Sequence, residues 1–222
     1  MVQFKYIHHS CFMLTTATDA IIFDPYLDGN PTGVKAEDIK VSHVLVTHNH
    51  GDHLGSAYAI AKNNNATFIS TAEVANAAAQ AGVKAFPMHL GGVLPFPFGK
   101  VRVTPAFHGS GIAGGHACGF IVDFYGTTVY FAGDTCIFGD MTLLGKLEKI
   151  DYAVLPIGNT FTMGPEDAAV AVKLLGVKKV IPVHYNTWPK IAQDPQKFKA
   201  AVEKDGVAKV FVVAPGDALT LD

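Results

Sequence analysis

Seven consecutive residues, Thr47-His48-Asn49-His50-Gly51-Asp52-His53, constrain this chain more than anything else in it. Three imidazoles and a carboxylate fall within six positions, directly after an apolar run at 44–46. Histidines packed this closely would repel one another when charged, unless a cation held them together. Imidazole nitrogen and carboxylate oxygen suit zinc, manganese, iron or nickel, and this many donors exceed what one tetrahedral ion uses. The economical reading is two divalent ions, zinc first among them. The run at 44–46 reads as a strand buried on both faces, and a glycine-containing loop after it can curl several side chains around one point.

Three further residues share that setting. His108 follows an extended run at 101–106, Asp134 follows one at 128–132, and His184 follows Lys-Lys-Val-Ile-Pro-Val. Strand ends can converge on one sheet edge, so the candidate metal set is His48, His50, Asp52, His53, His108, Asp134 and His184. Two ions about 3.5 to 4 Å apart can share a water, lower its pKa and polarise the oxygen that gains charge. Asp52 is the candidate catalytic residue, orienting that water and moving its proton.

Short β-like runs open the chain, separated by turns, and read as an antiparallel meander. Helix is expected at 57–62 and again from a capping box at Ser70-Thr71-Ala72-Glu73 to Gly82. Extended runs follow at 67–69, 84–88, 101–106, 118–124 and 128–132, the last two joined by a Tyr125-Gly126 turn. Strand and helix then alternate. Pro165 with two acids opens one helix and Gly176 closes it, and a further helix spans 195–204. Strands first, then strands mixed with helices, imply a layered α/β architecture. No linker interrupts it, so residues 1–222 are expected to form a single domain, whose halves show a loose parallel.

Composition narrows the function. With 17 basic against 19 acidic residues there is almost no net charge to draw a polyanion, and Arg102 is the one arginine. Nucleic acid is therefore not the expected partner. No stretch has the length of a membrane span, and the N-terminal stretch lacks an export signal's long apolar run. Three cysteines without a C-x-x-C pair argue against a disulfide framework. The expectation is a cytoplasmic protein.

The motifs T-H-x-H-x-D-H at 47–53, F-H-G at 107–109, A-G-D-T at 132–135 and P-V-H-Y-N at 182–186 resemble the successive metal-binding motifs of the metallo-β-lactamase superfamily. Finer features, HHSCF at 8–12, Asp24-Pro25, PIGNTFTMGPEDA at 156–168 and HYNTWP at 184–189, are similar to a branch of small metal-dependent hydrolases related to the L-ascorbate 6-phosphate lactonases. That resemblance implies a four-layer αββα sandwich of two mixed β-sheets flanked by helices. It also implies that His48, His50 and His108 bind one ion, that Asp52, His53 and His184 bind the second, and that Asp134 bridges them.

Substrate contacts are sought in His9, which in the resembling branch lies near the pocket, in His116 of a glycine-rich loop, and in Asn159, Phe161, Thr162 and Asn186. Asp24 is the candidate for receiving a ligand imidazole's other N–H. His43 and His89 read as structural, Cys136 as a small buried thiol, and Trp188 as facing either pocket or core.

The function expected is hydrolysis of a small-molecule ester, lactone or phosphodiester, a phosphorylated substrate included. Alternatives are an iron-dependent oxidoreductase of the same superfamily, a single-strand or RNA phosphodiesterase, and a metal-binding scaffold without catalysis. A homo-oligomer is compatible with the apolar composition.

Overall fold

The computed structural model describes residues 1–204 and 206–222. The chain opens with β1 (Val2–His8), β2 (Cys11–Thr15), β3 (Ala20–Phe23) and β4 (His43–Leu45). The one-turn helix α1 (Gly51–Leu54) and α2 (Ala57–Asn64) follow, then β5 (Thr67–Thr71), α3 (Ala72–Gln80) and β6 (Ala85–Met88). The next strands are β7 (Val93–Phe96), β8 (Gly99–Pro105), β9 (Cys118–Phe124) and β10 (Thr127–Phe131). After α4 (Met141–Leu147) come β11 (Tyr152–Pro156), α5 (Pro165–Leu175) and β12 (Lys179–Val183). A 3-10 turn (Pro189–Ile191), α6 (Pro195–Glu203), β13 (Lys209–Val210) and β14 (Ala218–Leu221) complete the chain.

Two seven-stranded sheets result, ordered β14-β1-β2-β3-β4-β5-β6 and β7-β8-β9-β10-β11-β12-β13. Taken in those orders they match pair for pair, with three antiparallel junctions followed by three parallel ones. Thus β1 holds the place of β8, β3 that of β10, and β5 that of β12. The loose parallel between the halves is this repeated topology.

Side-chain alternation explains the layering. Phe12 and Leu14 of β2, Phe120 and Val122 of β9, and Phe131 of β10 pack between the sheets. Their neighbours face outward: Cys11 packs under α2 and α3, while Ile121 and Tyr130 pack under α4, α5 and α6. Every strand of the centre is therefore covered on both faces, which is the αββα sandwich. Each fully buried phenylalanine contributes about 1.5 to 3 kcal/mol. Among the described residues no helix is long and apolar enough to cross a membrane.

The structure corrects some local expectations. The capping box does not form: Thr71 is the cap of α3, yet its hydroxyl donates to the His116 carbonyl at 3.0 Å, while Ser70 Oγ donates to the Val46 carbonyl at 2.6 Å. β5 runs through both residues, so their hydroxyls serve neighbouring chain segments. Cys136 is exposed, not buried. α5 begins and ends as read, with Gly164 before Pro165 and Gly176 in the left-handed conformation.

Candidate metal centre

Asp24 organises the first sheet's contribution. It follows β3 at φ +38°, and its buried carboxylate accepts from the Thr47 amide, the Thr47 hydroxyl and His53 Nδ1, each at 2.7 Å. With its proton given to Asp24, Thr47 Oγ1 can only accept from His48 Nδ1, 2.9 Å away. Both His48 and His53 therefore carry a proton on Nδ1, which leaves Nε2 as the atom either ring can offer a metal. Asp24 thus receives the Nδ1–H of His53, the contact expected of it from sequence.

The donors converge as the spacing predicted. His48 Nε2 lies 2.9 Å from His50 Nδ1, and these two with His108 bring three nitrogens within 4.8 Å of one another. His53, Asp52 and His184 form a second group of the same kind, joined by His9. Asp134 Oδ2 reaches members of both groups, at 3.1 Å from His184 Nε2, 3.3 Å from His53 Nε2 and 3.6 Å from His108 Nε2.

Those approaches do not satisfy the atoms. His53 Nε2, both nitrogens of His184, His9 Nε2 and Asp134 Oδ1 are buried without a hydrogen-bond partner. Buried polar atoms left unpaired are costly. Buried donors aimed at common points and left unpaired fit divalent cations, and the imidazole and carboxylate chemistry suits zinc or its neighbours.

Local backbone holds the second sheet's donors. The Phe107 amide donates to Thr135 Oγ1 at 3.0 Å, fastening the His108 loop to the Asp134 loop. The His184 amide donates to the His9 carbonyl at 2.9 Å, with His184 itself at φ +55°. Gly133, at φ +62°, turns Asp134 inward; a Cβ there would lie 2.7 Å from the Cys118 carbonyl and 2.9 Å from Thr47 Cγ2. Gly133→Ala is expected to lose about 1 to 3 kcal/mol from backbone strain alone, more with the clash. Denaturant unfolding of the metal-stripped protein measures this, and an unchanged midpoint would contradict it.

Burial and charge set the ionisation states. Burial pushes His48 and His108 below the ordinary histidine value, and His9 down to about 3. Burial also opposes ionisation of Asp134, but the adjacent His53 and His184 overcome it and hold the carboxyl well below its usual range. His53 is the converse: burial opposes its charge, yet Asp134 and Asp24 raise its pKa. Neutral imidazoles and ionised carboxylates are the states that ligate cations, so an ion bound at His53 displaces a proton from that ring.

A half-open cavity of about 470 Å³ reaches this cluster, lined by His50, Asp52, His108, Asp134 and His184 together with Phe161, Trp188 and Lys190. A larger hollow of about 780 Å³, bordered by Lys5, Thr16 and Asp38, contains none of the candidate ligands. Of the sequence-selected substrate contacts, Phe161 lines the cavity. His9 and Asn186 border an adjacent hollow of about 360 Å³. Asn159 shapes a turn, at φ +64° with its carbonyl accepting from the Thr162 amide, and neither residue lines the cavity. His116 is exposed, its ring 5.5 Å from that of His89, outside the cavity. His43 is buried edge-on against Phe96 and Phe98, away from the centre. Sequence reasoning missed Lys190, a single lysine in a 3-10 turn with no motif around it.

A two-sheet sandwich with strand-end imidazoles and carboxylates gathered at one rim has the build of a metallo-hydrolase. Comparison agrees. Residues 19–185 match the family described as the beta-lactamase superfamily domain. The chain is 52% identical over 222 residues to a UPF0173 metal-dependent hydrolase of Natranaerobius thermophilus, covering all of both proteins. Igni18, a metallo hydrolase from Ignicoccus hospitalis, superposes with a TM-score of 0.93 at 37% identity, over 100% of this chain and 98% of that one. CmlA, a diiron β-hydroxylase from Streptomyces venezuelae, shares the fold at 15% identity and a TM-score of 0.80, over 99% of this chain and 54% of that one. The chain thus belongs to the beta-lactamase superfamily and, within it, to the UPF0173 metal-dependent hydrolases.

Proposed function

We propose that this chain, acting as a single domain, is a dinuclear hydrolase of an anionic small molecule, with a phosphodiester or a phosphorylated lactone as its substrate. The observation that carries this reading is the division of the donors into two adjoining groups, with Asp134 in reach of both. His48, His50 and His108 would hold one ion, Asp52, His53 and His184 the other, and Asp134 would bridge. Two bound divalent ions, zinc first, supply Lewis acidity and an activated water. Asp52, whose carboxylate lines the cavity, orients that water and takes its proton.

The cavity's charge supports an anion. Two divalent ions outweigh the carboxylates of Asp52 and Asp134, so the loaded centre is positive, and Lys190 adds a further cation to the lining. Phe161 and Trp188 give the same cavity apolar surface for the body of the substrate.

Metal analysis of the purified protein, followed by assays on bis(4-nitrophenyl) phosphate beside a panel of neutral lactones, tests this. Two metal equivalents and preferential phosphodiester turnover are expected. Iron with oxygen uptake and no hydrolysis would overturn the hydrolase reading in favour of an oxidoreductase. Lys190→Ala is expected to raise KM for the phosphodiester about threefold to fivefold, the scale of an exposed ion pair, with Lys190→Arg close to wild type. An unchanged KM in Lys190→Ala would remove this lysine from substrate recognition.

A further inference from the structure

Each buried ligand histidine of the first sheet has an oriented partner, but Asp52 receives no hydrogen bond from its own loop. Its carboxylate, 28% exposed, has two imidazole nitrogens nearby: His53 Nε2 at 3.7 Å and His9 Nε2 at 3.4 Å. On the two-metal reading His53 Nε2 ligates the second ion, so it cannot donate to Asp52. That leaves His9.

His9 is held with unusual firmness for a residue outside any strand. It stands at φ +55°, a conformation that costs a non-glycine residue energy and persists only when its surroundings impose it. Tyr6 Oη donates to its carbonyl at 2.8 Å, and the His184 amide donates to the same carbonyl at 2.9 Å. Its ring lies 4.1 Å from that of His184 and 4.9 Å from that of Trp188, centroid to centroid. Its Nδ1 is 2.8 Å from Thr187 Oγ1, and its Nε2 is buried, unpartnered and turned toward the metal cluster. The topology agrees, because His9 follows β1 as His108 follows β8, the strand holding the corresponding place in the other sheet.

We propose that His9 is the positioning residue for Asp52: Thr187 donates to His9 Nδ1, and His9 Nε2–H donates to Asp52 Oδ2. The carboxylate is thereby held through Oδ2, which leaves its other oxygen free to serve as a ligand of the second ion. The sequence offered His9 as a substrate contact; the geometry gives it this orienting task instead. The assignment rests on the two-metal reading.

The test compares His9→Ala and His9→Gln, the latter retaining an N–H donor at comparable reach, using zinc stoichiometry and zinc affinity by chelator competition alongside kcat. His9→Ala is expected to weaken the second zinc and lower kcat, each about 10- to 100-fold, with the first zinc retained. His9→Gln should recover most of both, and Thr187→Val should lose both severalfold. Zinc affinity and kcat within twofold of wild type in His9→Ala would overturn the assignment. So would loss of a whole zinc equivalent in both His9 variants, which is the signature of a direct ligand. A wild-type protein that binds a single zinc would overturn the two-metal reading and this assignment with it, and it shows in the metal analysis before any variant is made.

Discussion

On the two-metal reading, replacing Asp134 with alanine is expected to strip the protein of metal and abolish turnover. Its Oδ2 is within 3.6 Å of imidazole nitrogens from His53, His108 and His184, and the residue is 3% exposed. Among the described residues no other carboxylate is placed to join the two donor groups. Two dications buried without that charge would face an uncompensated desolvation cost. The loss should exceed the roughly 10- to 100-fold that an outer supporting residue is worth. Elemental analysis and turnover of Asp134→Ala check this together, and a variant that keeps two metal equivalents and a tenth of the activity would refute it.

The second large effect is on folding. Asp24→Ala leaves three buried donors unpaired: the Thr47 amide, the Thr47 hydroxyl and His53 Nδ1. At about 1 to 3 kcal/mol for each stranded group, the sum approaches the whole stability of an ordinary domain. The variant is expected to be largely unfolded without metal. Asp24→Asn, which keeps the shape and one acceptor, should fold with reduced stability. It should also hold the second ion more weakly, because nothing fixes the proton of His53 on Nδ1. Chemical denaturation under chelating conditions measures the first effect and zinc titration the second; a fully stable Asp24→Ala would show that water replaces the carboxylate.

The sequence made the centre legible because its chemistry is local. Four donors sit in one loop, and the other three each follow an apolar run, so strand ends alone were enough to bring them together. The layered architecture followed from the change from bare strands to strands alternating with helices. What could not be read was direction and long-range pairing. His9 is placed near the pocket by resemblance, but its tie to Asp52 could not be read, because that depends on a positive φ held by Tyr6 and His184. The hydroxyls of Ser70 and Thr71 fit a capping box by spacing, but the segments at Val46 and His116 claim them. α4 gave no clear signal, being short and interrupted by Gly145, whose missing side chain admits the Leu175 carbonyl. Lys190 shares the cavity only because the chain after His184 folds back across it.

The donors are divided between the leaves of the sandwich. His48, His50, Asp52 and His53 hang from β4 in one sheet, while His108, Asp134 and His184 follow β8, β10 and β12 in the other. An ion seated there would stitch the two leaves together along one margin, beside the apolar contacts of Leu45, Phe131 and Val183 that join them inside. Its binding free energy is then also energy of cohesion. On the proposed ligand set, chelation would loosen a seam as well as remove a reagent, and the loaded protein would not part its sheets without first surrendering metal.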